Sequence, residues 1–156
     1  MYNQGIEDRV ATLDEAQKSV EDIERWWADH GGRYAVCVAE EDGALVGWAS
    51  LNRYSHRCAY DGVADLSVYV ARERRGCGVG SKLLASLEEE AVRRGFHKIV
   101  LFTFGFNALG QGLYRKRGYR EVGIFREQGR LGERYIDVMA MEKILDGISS
   151  DTLKTS

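Results

Sequence analysis

At 156 residues the chain has room for one ordinary domain with a core that needs neither metal nor disulfides to hold it. Charged residues make up 29% and the hydrophobic set 44%, a globular balance that argues against a disordered or membrane-spanning chain. With a formal charge of −2 and no basic run interleaved with aromatics, the footprint of a nucleic-acid binder is missing, and no such partner is expected.

The first predicted element opens at Thr12 and Glu15, which have capping-box spacing, and Leu13, Ala16, Val20, Ile23 and Trp27 then recur at steps of three and four. These make an amphipathic helix that stops near His30-Gly31-Gly32. Two apolar runs, Tyr34 to Ala39 and Ala44 to Leu51, flank Glu41-Asp42-Gly43 and predict a β-hairpin. Asn52 to Asp61 is polar and aromatic without a period, so a loop is expected there. Asp65 to Val70 reads as a strand and Arg72 to Gly80 as a basic, glycine-rich turn. A helix then follows from about Ser81, with Leu83, Leu84, Leu87, Ala91 and Val92 as its buried stripe and Arg93-Arg94-Gly95 at its close. Lys98 to Thr103 resumes as strand, and a shorter helix runs from about Asn107 to Arg117 before Gly118. Tyr119 to Phe125 and Arg134 to Met141 are the closing strands. No repeat or linker intervenes, so the expectation is a single α+β domain over residues 1–146 and a disordered polar tail over 147–156.

The segment Arg72-Glu73-Arg74-Arg75-Gly76-Cys77-Gly78-Val79-Gly80-Ser81-Lys82 lies directly between a predicted strand and a predicted helix. Glycines let successive backbone N–H groups turn toward one point, and the helix N-terminus adds its positive dipole, so the stretch suits a diphosphate. Arg72, Arg74, Arg75 and Lys82 lend charge around the same mouth. A basic strand-to-helix turn with no ligand would have the same composition. Gly80-Ser81-Lys82 is not the Gly-Lys-Ser/Thr of a P-loop, and Gly76, Gly78 and Gly80 are not spaced as GxGxxG, so neither a kinase nor a dinucleotide enzyme follows. The three cysteines, Cys37, Cys58 and Cys77, suit neither a disulfide framework nor a zinc site, and a reducing cytoplasm is the expected compartment. The N-terminal run MYNQGIEDRV has no basic-then-apolar leader pattern. His30, His56 and His97 lack ligand spacing, so no metal is implied.

With Arg75-Gly76-Cys77-Gly78-Val79-Gly80 matching its Arg/Gln-x-x-Gly-x-Gly/Ala phosphate turn, the sequence resembles the GNAT acetyltransferase superfamily. Ala64-Asp65-Leu66-Ser67-Val68-Tyr69-Val70 and Leu113-Tyr114-Arg115-Lys116-Arg117-Gly118-Tyr119 make it similar to the phosphinothricin acetyltransferase-like branch, over a span from Tyr2 to about Lys143. The resemblance implies a three-layer α/β/α fold with a mixed, mostly antiparallel central sheet and flanking helices, acetyl-CoA as cofactor, and a homodimer. Members of the branch begin with a further strand and most of a helix ahead of the segment that matches Tyr2-Asn3-Gln4, so the first strand is expected to be missing.

Roles follow from the same resemblance. Val68, Tyr69 and Val70 would lend backbone groups to the pantetheine arm, Arg75, Gly76, Cys77, Gly78, Val79, Gly80 and Ser81 would hold the diphosphate, and Asn107 would contact the pantetheine. Asp65 stands where the branch has a glutamate general base, and its shorter reach suggests action through a water. Tyr114 falls where many members carry a tyrosine acid. An aspartate at a strand start is otherwise a turn or cap residue, and a tyrosine on a short helix a core residue. Arg57 and Tyr60 match an Arg-x-x-Tyr that lines the acceptor pocket, which Glu7 and Arg9 would join; a guanidinium suits carboxylate, phosphinate or arsinate. The resemblance therefore implies direct acetyl transfer to the primary amine of a small amino-acid-like acceptor such as phosphinothricin, methionine sulfoximine or arsinothricin. The alternatives are a protein N-terminal or lysine acetyltransferase and a non-catalytic acyl-CoA sensor. Asp65 and Tyr114 speak against the sensor, and Arg57 in a compact loop speaks for a small anionic acceptor.

Overall fold

The computed structural model describes residues 32–145; the helix expected from Thr12 to His30, Glu7 and Arg9, and the tail from Asp146 onward lie outside the described residues. β1 (Val36–Glu41) and β2 (Ala44–Arg53) form the expected hairpin around Asp42 and Gly43, which take φ of 53° and 80°. Two left-handed residues in succession match the right-handed twist of the strands they join. β2 runs beyond Leu51 because Asn52 and Arg53 still pair with Asp65 and Ala64 of β3 (Val63–Val70). The loop between them contains one 3-10 turn, Cys58–Tyr60. A second short turn, Arg72–Arg74, leads into α1 (Val79–Arg93), which starts at Val79 rather than Ser81. β4 (Lys98–Phe104), α2 (Ala108–Lys116), β5 (Arg120–Leu131) and β6 (Arg134–Ile144) follow.

The strands make one six-stranded sheet in the order β1-β2-β3-β4-β6-β5. Only β3 and β4 run parallel, joined through α1, and every other neighbouring pair is antiparallel, so the sheet is mixed and mostly antiparallel as expected. Leu83, Leu84, Leu87 and Ala91 of α1 are buried in one cluster with Ala49, Leu51, Leu66 and Ile99 of the sheet. Gly47 permits that close approach: a Cβ there would lie 2.9 Å from both Leu83 Cδ1 and Val79 Cγ1. α2 packs against the first turn of α1, with Leu113 of α2 filling the space that a side chain at Gly80 would need. No helix among the described residues is long and apolar enough to cross a membrane.

β5 reaches Leu131 rather than ending near Phe125. Its register breaks between Phe125 and Gly129, where Glu127 has a φ of 50° and donates its backbone N–H to Asp137 Oδ1 at 2.8 Å. A bulge of this kind removes the alternation by which a strand is recognised in sequence.

The β3–β4 pairing is short. It consists of Val63 with Lys98, Ala64 with Ile99 and Asp65 with Val100. On the outer sides, β2 stays paired with β3 as far as Val70, and β6 stays paired with β4 as far as Phe104. Beyond Asp65 the two parallel strands therefore diverge and leave a wedge between their inner edges.

The packing at Gly80 yields a prediction. A Cβ there would sit 2.8 Å from Leu113 Cδ2, so Gly80→Val is expected to push α2 off α1 and lower stability by about 1–3 kcal/mol through overpacking. Denaturant unfolding of the variant checks this.

Candidate active site

The chain leaves β3 at Val70 and turns through two left-handed glycines, Gly76 with φ 80° and Gly78 with φ 86°. Gly78 is the N-cap of α1, and no side chain caps the helix there. The first N–H groups of a helix have no intrahelical partner, so at this end they remain available to an anion, with the helix dipole behind them. Around the turn, Arg75 Nε donates to the Val70 carbonyl at 3.4 Å, and Arg74 Nε lies 3.0 Å from Glu41 Oε2. A Cβ added at Gly76 or Gly78 would meet nothing within 4 Å, so their open side is not packed against protein.

A cavity of about 590 Å³ runs from this turn along Val68–Val70 to α2. A second of about 80 Å³ occupies the wedge, lined by Ser67 of β3 and by Phe102, Thr103 and Phe104 of β4. Val68, Tyr69, Asn107 and Tyr114 border both, so one continuous path links the glycine turn to the divergence of the strands. Asn107 is fixed there by two hydrogen bonds: its Oδ1 accepts the Gly110 N–H at 3.1 Å as the N-cap of α2, and its Nδ2 donates to Thr103 Oγ1 at 3.3 Å.

Asp65 is the last β3 residue paired with β4. Burial disfavours its charged form and pushes its carboxyl up to about 6, opposed only in part by its hydrogen bond with the Leu66 backbone. Tyr114 is buried, and its phenol is pushed above its ordinary range first by burial and then by the negative charge of Asp65. The two groups therefore feel each other electrostatically, a carboxylate that can take a proton near neutrality and a protonated phenol, although Tyr114 lines both cavities and Asp65 lines neither.

Of the residues singled out from the sequence, Val68, Tyr69, Val70, Arg75, Gly76, Gly78, Gly80, Ser81, Asn107 and Tyr114 all line the larger cavity. Cys77 is exposed, with its Sγ 3.9 Å from the Arg75 carbonyl, and Val79 packs against the core instead. Arg74 and Arg75 reach the cavity wall, whereas Arg72 and Lys82 are exposed away from it. Arg57 and Tyr60 lie on the exposed loop before β3 and line neither cavity; Tyr60 instead packs edge-on against Tyr54, ring centroids 6.2 Å apart. Glu7 lies outside the described residues. Sequence reasoning missed Phe106, Leu109 and Leu113, which give the larger cavity an apolar wall. Leu109 is 60% exposed and stands one helical turn before Leu113, a spacing that could have flagged a ligand-facing stripe on α2. Among the described residues no group of three His, Cys, Asp or Glu side chains is placed to hold a metal ion.

Comparison with known proteins agrees with this geometry. The model of the acetyltransferase (GNAT) family matches residues 5–119. The phosphinothricin N-acetyltransferase of Streptomyces coelicolor is 31% identical over 93% of this chain and 87% of its own. A GNAT superfamily phosphinothricin acetyltransferase of Sinorhizobium meliloti, solved in complex with acetyl-CoA, superposes with a TM-score of 0.86 at 26% identity, over 97% of this chain and 88% of its own. The ribosomal-protein-alanine N-acetyltransferase of Brucella melitensis superposes with a TM-score of 0.87 at 34% identity, over 92% of this chain and 90% of its own.

Two outcomes follow from the geometry. Gly78→Val would have to hold a β-branched residue at a φ of 86° beside the first N–H groups of α1, and is expected to weaken CoA binding at least about tenfold by calorimetry. For Asp65, a folded-state pKa raised to about 6 means that the contribution to stability is complete below the unfolded value near 3.8 and is lost as pH rises through about 6. Asp65→Asn is therefore expected to stabilise the fold at pH 8, by on the order of 2–3 kcal/mol, and to have little effect near pH 4. Unfolding midpoints at the two pH values check this.

Proposed function

The chain belongs to the GNAT acetyltransferase family, and from that premise we propose that it transfers acetyl directly onto the primary amine of a small amino-acid acceptor of the phosphinothricin or methionine sulfoximine kind, with Asp65 as general base and Tyr114 as general acid. The observation that carries the reading is the wedge that opens where β3–β4 pairing ends at Asp65, lined by Tyr114 and by Leu66 next to Asp65, and continuous with a cavity that finishes on a helix N-terminus without a side-chain cap. The residues present suit acetyl-CoA, which the enzyme uses as acetyl donor: helix N–H groups without a side-chain cap for the diphosphate, a β3 edge that β4 leaves beyond Asp65 for the amides of pantetheine, and an apolar wall at Leu109 and Leu113.

Acetyl-CoA supplies the acyl group and the thiol that leaves. The chain handles the protons. A C–N bond forms as the C–S bond breaks; the amine gives one proton to the Asp65 carboxylate, directly or through a water, and the Tyr114 hydroxyl gives one to the departing sulfur. The two transfers assist each other. Once Asp65 is protonated, the smaller of the two influences that raise the Tyr114 phenol is gone; burial still holds it up, but the phenol is a stronger acid than before at the moment the thiolate needs it. Since the base acts as a carboxylate, kcat/KM is expected to rise with pH through about 6.

A small amino-acid acceptor is supported by the Streptomyces and Sinorhizobium proteins, whose names state phosphinothricin acetylation. The Brucella protein, named for acetylating a ribosomal-protein alanine, favours a second reading in which the acceptor is a protein N-terminus. The free thiols of Cys37, Cys58 and Cys77 accord with a reducing cytoplasm. A homodimer is supported by the sheet edge: among the described residues β5 pairs only with β6, and Val122, Ile124 and Phe125 are about half exposed.

An acetyl-CoA turnover screen over phosphinothricin, methionine sulfoximine and an alanine-initiated peptide separates the readings; the amino acids are expected to turn over and the peptide not, and the reverse would establish the second reading. On the accepted substrate, Asp65→Asn should lower kcat about 10²–10⁴-fold while acetyl-CoA affinity stays nearly intact. Tyr114→Phe should also spare binding, with a loss that shrinks for acyl donors whose thiol is more acidic. Light scattering is expected to give twice the mass of one chain.

A further inference from the structure

The C-terminal turn of α2 carries more construction than a helix end requires. Gly118 takes a φ of 93° and donates its N–H to the Arg115 carbonyl at 3.0 Å, while the Tyr119 N–H donates to the Tyr114 carbonyl at 2.9 Å. This is a Schellman turn, in which the residue beyond the glycine packs on the residue whose carbonyl it satisfies. Here those two are Tyr119 and Tyr114, whose rings meet edge to face with centroids 6.0 Å apart.

One buried carboxylate holds that turn from outside. Glu88 of α1 is 7% exposed; its Oε1 accepts from Arg117 Nη2 at 2.6 Å and from Lys143 Nζ at 2.8 Å, and its Oε2 accepts from the Tyr119 hydroxyl at 3.2 Å. Lys143 Nζ also donates to the Arg117 carbonyl at 2.7 Å. α1, the α2–β5 turn and β6 thus converge on a single side chain. A buried charge cluster is a poor device for stability alone, because desolvation offsets most of its attraction; here both Glu88 oxygens are engaged, which restricts the geometry, while the buried Arg117 Nε is left without a hydrogen-bond partner.

We propose that Glu88 is a positioning residue for Tyr114: through Tyr119 and Arg117 it fixes the end of α2 so that the Tyr114 hydroxyl stays where the wedge and the larger cavity meet. The proposal rests on the reading of Tyr114 as the general acid. Glu88 touches neither cavity and takes no proton in the reaction. Its effect is on the aim of another group, and misplacement of a catalytic group by a fraction of an ångström costs rate rather than binding.

The test measures kcat and KM for Glu88→Gln and Tyr119→Phe, with Tyr114→Phe as reference, using acetyl thioesters of CoA and of analogues with more acidic thiols. Each positioning variant is expected to lose about tenfold in kcat with acetyl-CoA while KM for it stays within about twofold. The loss should shrink with the more acidic thiols, as for Tyr114→Phe, and adding either change to Tyr114→Phe should cost nothing further. Should Glu88→Gln fail to fold, Tyr119→Phe keeps the ring and removes one hydrogen bond, and carries the test alone. A lowered melting temperature with unchanged kcat per folded molecule, or a loss equal for every thiol while Tyr114→Phe is thiol-sensitive, would overturn the positioning role. A Tyr114→Phe variant that is itself indifferent to the thiol would overturn the acid assignment first, and this proposal with it.

Discussion

β3 and β4 pair through Val63, Ala64 and Asp65 and then part, while their outer neighbours hold each of them to its end. Because β2 and β6 keep their registers along the whole length, the inner edges cannot close by sliding, and the wedge is a fixed property of the sheet. Its backbone N–H and C=O groups are left without a strand partner. Groups of that kind are satisfied by water or by a ligand, and an extended arm built from amides satisfies them as an added strand would. The chain leaves β3 at the open end of the wedge and goes straight into the glycine turn, so the helix start proposed to hold the diphosphate is placed by the same strand that borders the wedge.

The same divergence sets the electrostatics. Asp65 sits at the vertex, where sheet pairing has just ended and water is largely excluded, and loss of hydration raises its carboxyl toward the neutral range. Stability is given up to keep a carboxylate there, which is the pattern of a functional group rather than a structural one. Tyr114 comes from α2, and its own proton is held more tightly first by burial and then by the negative charge of Asp65. The proposed base and acid are thus coupled in charge, which would suit a reaction that removes one proton and delivers another.

Much of this was legible in the residues. Gly76 and Gly78 advertised left-handed backbone, and both adopt it; Leu83, Leu84, Leu87 and Ala91 advertised one buried face, and all four are in the core. Asp65 and Tyr114 came from resemblance, since an aspartate in a strand and a tyrosine in a short helix are ordinary on their own. The wedge itself was not legible, because it depends on the register of strands separated by all of α1, and periodicity says nothing about where pairing stops. Gly80 read as part of a phosphate turn, yet its missing side chain makes room for Leu113, a contact between helices distant in sequence. In the sequence Glu88 is one of several charges on a helix; only the arrival of Arg117, Tyr119 and Lys143 from other elements makes it a buried hub. Arg57 and Tyr60 matched a motif, but their loop is exposed and borders neither cavity.

The proposed seat of the pantetheine arm is the inner edge of β3 beyond its pairing with β4. Amide hydrogen exchange, resolved along the chain with and without saturating CoA, reads that edge directly. Exchange should slow on binding over Leu66–Val70 and over Gly76–Ser81, with β1 and the β5–β6 hairpin unchanged. Slowing confined to the glycine turn, with Leu66–Val70 exchanging as fast in the complex as in the free protein, would contradict the account.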